Sequence, residues 1–201
     1  MSARAPYRNA RAAGFSAVYD TEVRVKSISV EEMMARYCKP EIFIESCKMC
    51  PDYRHVWSCP PGVPTAEEFL DGYNTAVVAG VKVRYSKKTI EMSQDLSAKE
   101  LDDFRRSTYG KVKSQLNDTF LEIEKVILGS VSVAAGRCER CPKCARLDDR
   151  PCRFPDKMRY SFSGLGFDIN AMSNELLRTK LLWSDKGLPK YIMAIAAIFI
   201  K

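Results

Sequence analysis

Cys138, Cys141, Cys144 and Cys152 stand at C-x2-C-x2-C-x7-C. Three cysteines at successive three-residue steps wrap their sulfurs around one cubane, the spacing that bacterial-type ferredoxins use for a [4Fe–4S] cluster. Zinc more often takes two separate CxxC knuckles that approach a tetrahedral ion from two directions, so zinc is the alternative here. A second group lies almost eighty residues upstream: Cys47-x2-Cys50-x8-Cys59, with Cys38 nine residues before Cys47. Its spacing is less specific and suits either metal. Cys59 is followed by Pro60, as is the distal cysteine of a ferredoxin run, which in two-cluster ferredoxins ligates the other cluster. Two pairings therefore fit. In the crossed one, Cys59 completes the site of Cys138, Cys141 and Cys144 while Cys152 serves Cys47 and Cys50; in the uncrossed one, each group keeps its own.

Four other side chains are candidates for contact with a bound cofactor. His55 is the only histidine and sits between Cys50 and Cys59, placed as a metal ligand or proton donor; the plain alternative is an exposed loop side chain. Its neighbour Arg54 is a candidate on position alone. Trp57 is expected to shield a cluster from water, a role that overlaps with ordinary core packing. Arg153, with Arg150, Lys157 and Arg159 around Cys152, would raise the potential of an anionic cluster, or else belongs to a solvated basic loop.

The 201 residues suit a single domain, and 46% hydrophobic with 28% charged residues excludes disordered and collagen-like classes. The N-terminal stretch carries Arg4, Arg8 and Arg11 without the apolar core of a secretory signal. The longest apolar run, Ile192 to Ile200, is less than half a bilayer span. A cytoplasmic location without a membrane span follows as the expectation, and in a reducing compartment clumped thiols point to metal rather than disulfides. The formal charge of +7 by itself favours nucleic acid, but two thiolate sites of about −2 each lower it to about +3 and remove that argument. A redox partner protein or a small-molecule substrate is the expected partner.

The rest of the chain must hold these loops. Val23 and Val25 alternate with Arg24 and Lys26 as a half-buried strand. Ser29 with Glu32 opens a helix to about Tyr37, ended by Pro40, and Ile42 to Ile44 reads as a second strand. Thr65 with Glu68 starts a short helix, and Ala76 to Tyr85 a strand. Ser97 with Glu100 begins the longest helix, whose apolar stripe runs from Leu101 to Ile127, bent at Gly110 and capped by Gly129. Val131 and Val133 form a strand, Asp168 caps a helix, and Tyr191 to Phe199 is a buried strand. Strands alternating with helices predict an α/β or interleaved α+β fold. The expected organisation is a flexible basic tail over residues 1–20, followed by one metal-binding domain over 21–201 with a mixed sheet, packed helices and two cysteine-rich loops.

The segments WSCPPG (57–62), AGRCERCPKCARLDDRPCRFP (135–155), SFSGLGFDI and LPKY together resemble an uncharacterised family of predicted metal-binding proteins, a domain of unknown function. The resemblance spans about Cys47 to Tyr191. It implies metal on Cys47, Cys50, Cys59, Cys138, Cys141, Cys144 and Cys152, and it implies no reaction. Cys38 lies outside the family's pattern, and Arg54 and His55 occupy a segment where members often carry glycine. If Cys38 is not a ligand, seven cysteines serve two sites and one iron is left open to substrate. The leading expectation is a protein with two [4Fe–4S] clusters, in electron transfer or as a reductase component. The alternatives are a zinc-stapled binding module and an iron–sulfur enzyme with an open iron.

Overall fold

Burial sorts the strands by how many of their faces are covered. In the computed structural model, which describes residues 18–201, strands β2 (Thr75–Tyr85) and β4 (Tyr191–Ile200) are apolar on both faces and pair antiparallel at the centre of a four-stranded sheet. Strand β1 (Tyr19–Ser29) pairs antiparallel with β2 at one edge, and the short β3 (Val131–Val133) pairs antiparallel with β4 at the other. The order is β1-β2-β4-β3, an α+β arrangement in which the short helices α3 (Ala66–Phe69) and α4 (Lys87–Ser93) flank β2 in the chain. Among the described residues, the parallel contact is the isolated bridge Ala134 to Ser161. Arg4, Arg8 and Arg11 of the expected tail lie outside the described residues, and β1 already includes Tyr19 and Asp20.

One face of the sheet, carrying Val78, Ile195, Ala197 and Phe199, is covered by α1 (Val30–Tyr37), α7 (Ile169–Glu175) and the Phe162–Phe167 segment, which contribute Met33, Tyr37, Met172, Phe162 and Phe167. The opposite face, with Ala79, Val81, Val83, Ala194 and Ile198, is covered by α5 (Ala98–Arg105) and α6 (Lys111–Val126). These two helices form the expected long element. Ser97 and Glu100 cap it reciprocally, and the five-residue π turn Arg106–Gly110 accommodates the bend placed at Gly110. The helix ends at Val126, and Gly129, at φ 77°, turns the chain toward β3.

Two local readings need correction. Ile42 to Ile44 form no strand: Pro40 occupies the first turn of helix α2 (Pro40–Lys48), where its missing N–H removes no helical bond, so the proline opens a helix as well as closing one. Val23 and Val25 lie in β1 as expected, but they are the exposed residues, 55% and 54%. They share a face with Val81 and Ala79, and the α5–α6 layer covers the centre of the sheet without reaching this edge.

Glu124 fastens α6 to β3 and to the segment after the second cysteine group. It accepts hydrogen bonds from the Ser132 N–H (2.7 Å) and hydroxyl, and from Arg159, Nε at 2.8 Å and Nη2. Burial alone would raise its pKa, but the bonds from Arg159 and Ser132 outweigh burial and hold the carboxyl below the ordinary range. A lowered folded pKa adds stability above the ordinary carboxylate range, and that contribution is lost as the pH falls through the folded value. Glu124→Gln is therefore expected to cost about 2 kcal/mol near neutral pH. Urea melts across pH should show the gap to wild type narrowing in acid.

Candidate metal centre

The chain leaves β3 through Ala134 and Ala135 and enters a loop, residues 136–154, whose regular structure is one 3-10 turn, Ala145–Asp148. Cys138, Cys141, Cys144 and Cys152 all line one cavity in this loop, with Trp57, Val56 and Phe154 as its apolar wall. Arg140 and Arg153 are its charged lining. Burial raises the Cys138 thiol pKa; the Arg140 backbone N–H, directed at that sulfur, acts the other way, and Cys152 and Cys141 are close enough to bear on it. The enclosed space is about 20 Å³, close to the size of one water or ion.

The first group forms at the end of α2. Cys47, in its last turn, donates to the Ser163 carbonyl at 3.7 Å. Cys50 is exposed and faces the Asp52 carboxylate at 3.9 Å. Cys59 is half-buried; burial pushes its thiol up to about 11, and among the charges acting on it are Asp52, Cys50 and Cys47. Of the two pairings open from sequence, the side chains are thus grouped in the uncrossed one.

The contacts of Cys38 are with residues of neither group. Its backbone bridges Phe167, its Sγ faces the Leu165 carbonyl at 4.0 Å, and it packs against the hydrophobic core. Burial pushes its thiol up to about 11, and the nearby charges are Glu67 and Glu41. His55 is exposed and donates through Nδ1 to the Pro51 carbonyl at 2.7 Å, a bond within its own turn. Arg54 sits at φ 65°, a left-handed conformation that glycine takes without strain, and its guanidinium lies over the Tyr53 ring. Neither lines the cavity of the second group, whereas Trp57 and Arg153 do. Arg159 serves Glu124. Together with Lys157, Cys138 and Arg140 it also lines a neighbouring polar cavity of about 210 Å³.

Besides Trp57 and Arg150, the contacts that bring the two groups together come from residues the sequence did not single out. Arg146 of the second loop donates to the carbonyls of Val56 (2.9 Å), Cys59 (2.7 Å) and Pro61 of the first, and stacks over Trp57. Trp57 Nε1 returns a bond to the Arg150 carbonyl at 3.0 Å. Arg137 pairs with Asp52 at 2.6 Å, and Ser58, fully buried, accepts from the Cys138 N–H at 2.8 Å. An arginine serving three carbonyls of one turn leaves no trace in spacing or periodicity.

The donor set fits a thiophilic metal or cluster: cysteines in two groups, amide and guanidinium groups around them, and no disulfide between described residues. Among the described residues, no three Cys, His, Asp or Glu side chains form a closed ion cage. Metal binding to such loops is coupled to their final ordering. No helix among the described residues is long and apolar enough to cross a membrane. Residues 21–200 match a family model described as "Predicted metal-binding protein (DUF2284)". No curated protein and no solved structure gives a match.

Proposed function

We propose, for a chain that belongs to this family of predicted metal-binding proteins, that Cys138, Cys141, Cys144 and Cys152 hold a [4Fe–4S] cluster. Cys47, Cys50 and Cys59 form a second thiolate centre, and the protein works in electron transfer or as a reductase component. The observation that carries this reading is the convergence of all four cysteines of the C-x2-C-x2-C-x7-C run on one cavity walled by Trp57 and Phe154. A bound cluster would supply one-electron chemistry to a redox partner protein or a small-molecule substrate. The chain's own residues position and shield it. Trp57 and Phe154 exclude water, the Arg140 amide stabilises sulfur charge, and Arg146 locks the two loops in register. The first centre has three cysteines, with the Asp52 carboxylate beside Cys50 and the Ser58 hydroxyl beside Cys59 as their polar neighbours.

The cavity's small size favours a second reading. A space of about 20 Å³ is nearer the room taken by a single ion such as zinc than by a cubane; the thiols must close in on an ion, since no three of them form a cage as they stand, and must spread for a cubane. Structural zinc would then staple a loop that has little core of its own. The two readings separate on purification without oxygen. The cluster reading expects about four iron and four sulfide per second site, with broad visible absorbance that dithionite bleaches. Stoichiometric zinc in a colourless protein would overturn it in favour of the staple.

A further inference from the structure

The two cysteine groups are joined by two short relays that start beside ligands of the first and end on adjacent residues of the second. In one, Ser58 Oγ lies 3.9 Å from Cys59 Sγ and accepts the Cys138 N–H at 2.8 Å. Ser58 is fully buried, and while its oxygen accepts from Cys138, its single hydroxyl proton is free to turn to the Cys59 sulfur once that sulfur is a thiolate. In the other, the Asp52 carboxylate lies 3.9 Å from Cys50 Sγ and 2.6 Å from the Arg137 guanidinium. Arg137 and Cys138 are consecutive, so both relays fix the point where the second loop begins its run of ligands.

From this geometry we infer that the two sites bind metal cooperatively, with Ser58 and Asp52 as the positioning residues that couple them. A thiolate on a metal at Cys59 is a stronger acceptor than a thiol, so it draws the Ser58 proton toward itself. The Ser58 oxygen becomes more electron-rich and holds the Cys138 N–H more firmly, as in any hydrogen-bonded chain whose members polarise one another. That bond orients the backbone of the first ligand of the second site. The Asp52 relay acts in parallel by holding Arg137 while Cys50 is engaged. Thermodynamic linkage makes the effect mutual: filling the second site orders Ser58 and Asp52, which raises the affinity of the first by the same factor.

This coupling presupposes that both groups bind metal, and the test separates the two claims. The full chain, reduced and stripped of metal without oxygen, is titrated with Co²⁺ alone, whose thiolate charge-transfer bands report each site whatever the native metal. Cys141→Ser with Cys144→Ser disables the second site. The first site of that variant is expected to bind Co²⁺ about tenfold more weakly than the same site in the intact, half-loaded chain. Introducing Ser58→Ala into both backgrounds should bring this ratio close to one. Asp52→Asn, a change in a partly exposed ion pair that does not threaten folding, should reduce the ratio by itself. Equal first-site affinities in the two backgrounds overturn the coupling, as does a ratio that neither Ser58→Ala nor Asp52→Asn changes. Absence of any cobalt–thiolate band overturns the metal sites themselves, and the coupling with them.

Discussion

Cys144→Ser is expected to abolish stoichiometric metal at the second site, while Cys38→Ser leaves metal content unchanged. Cys144 lines the cavity with its three partners. Cys38 is bridged to Phe167 and packs against the core. Thiolate sites of the zinc-finger kind bind with an apparent 10–16 kcal/mol, so one of four ligands accounts for about 3 kcal/mol, roughly a hundredfold or more in affinity. Serine keeps the size of the side chain but is a poor ligand at neutral pH, so the loss isolates ligation from packing. Metal analysis of both variants, with circular dichroism to confirm an intact sheet, reads the contrast. Retention of full metal by Cys144→Ser would remove that residue from the ligand set. Loss of metal in Cys38→Ser would place the eighth cysteine in a site after all.

Gly166→Ala is expected to be the most destabilising small change near the first site, costing about 3 kcal/mol or more. Gly166 has φ 86°, and a Cβ built there would lie 2.6 Å from Pro40 Cα and 2.7 Å from Pro40 Cβ. Backbone atoms and a proline ring cannot swing aside as a flexible side-chain end can. The Gly166 carbonyl also accepts from the Lys39 N–H at 2.8 Å, so displacing it disturbs the start of α2, the helix that ends in Cys47. Gly80→Ala is the comparison: its Cβ would meet Leu177 Cδ1 at 2.5 Å and Met193 Cε at 2.8 Å, both ends of rotatable side chains, and the cost should be smaller. Thermal melts of the two variants test the ranking. A Gly166→Ala protein as stable as wild type would contradict the tight packing of this turn on Pro40.

How much of this was legible in the sequence depends on the range of the forces involved. The caps at Ser97, Thr65 and Asp168, the bend near Gly110 and the doubly buried strands β2 and β4 are local or periodic signals, and they stand where residue type placed them. Ile42 to Ile44 misled because a short apolar run has no period of its own, and Pro40 reads equally as a stop or a start. Val23 and Val25 misled because alternation reveals that a strand has two faces but not which one a neighbouring layer covers. The cysteine groups were plain from spacing. How their side chains group was not, since it depends on Cys152 folding back to the cavity of Cys138, Cys141 and Cys144 and on Cys59 lying with Cys47 and Cys50, which spacing does not encode.

In the proposed function, the run from Cys138 to Cys152 is an all-thiolate metal site. X-ray absorption at the edge of the metal found in the intact protein, purified without oxygen, addresses it most directly. A first shell of sulfur alone at about 2.3 Å is expected for the second site, isolated by comparison with Cys144→Ser. A first shell of oxygen or nitrogen, or a spectrum that Cys144→Ser leaves unchanged, would contradict it.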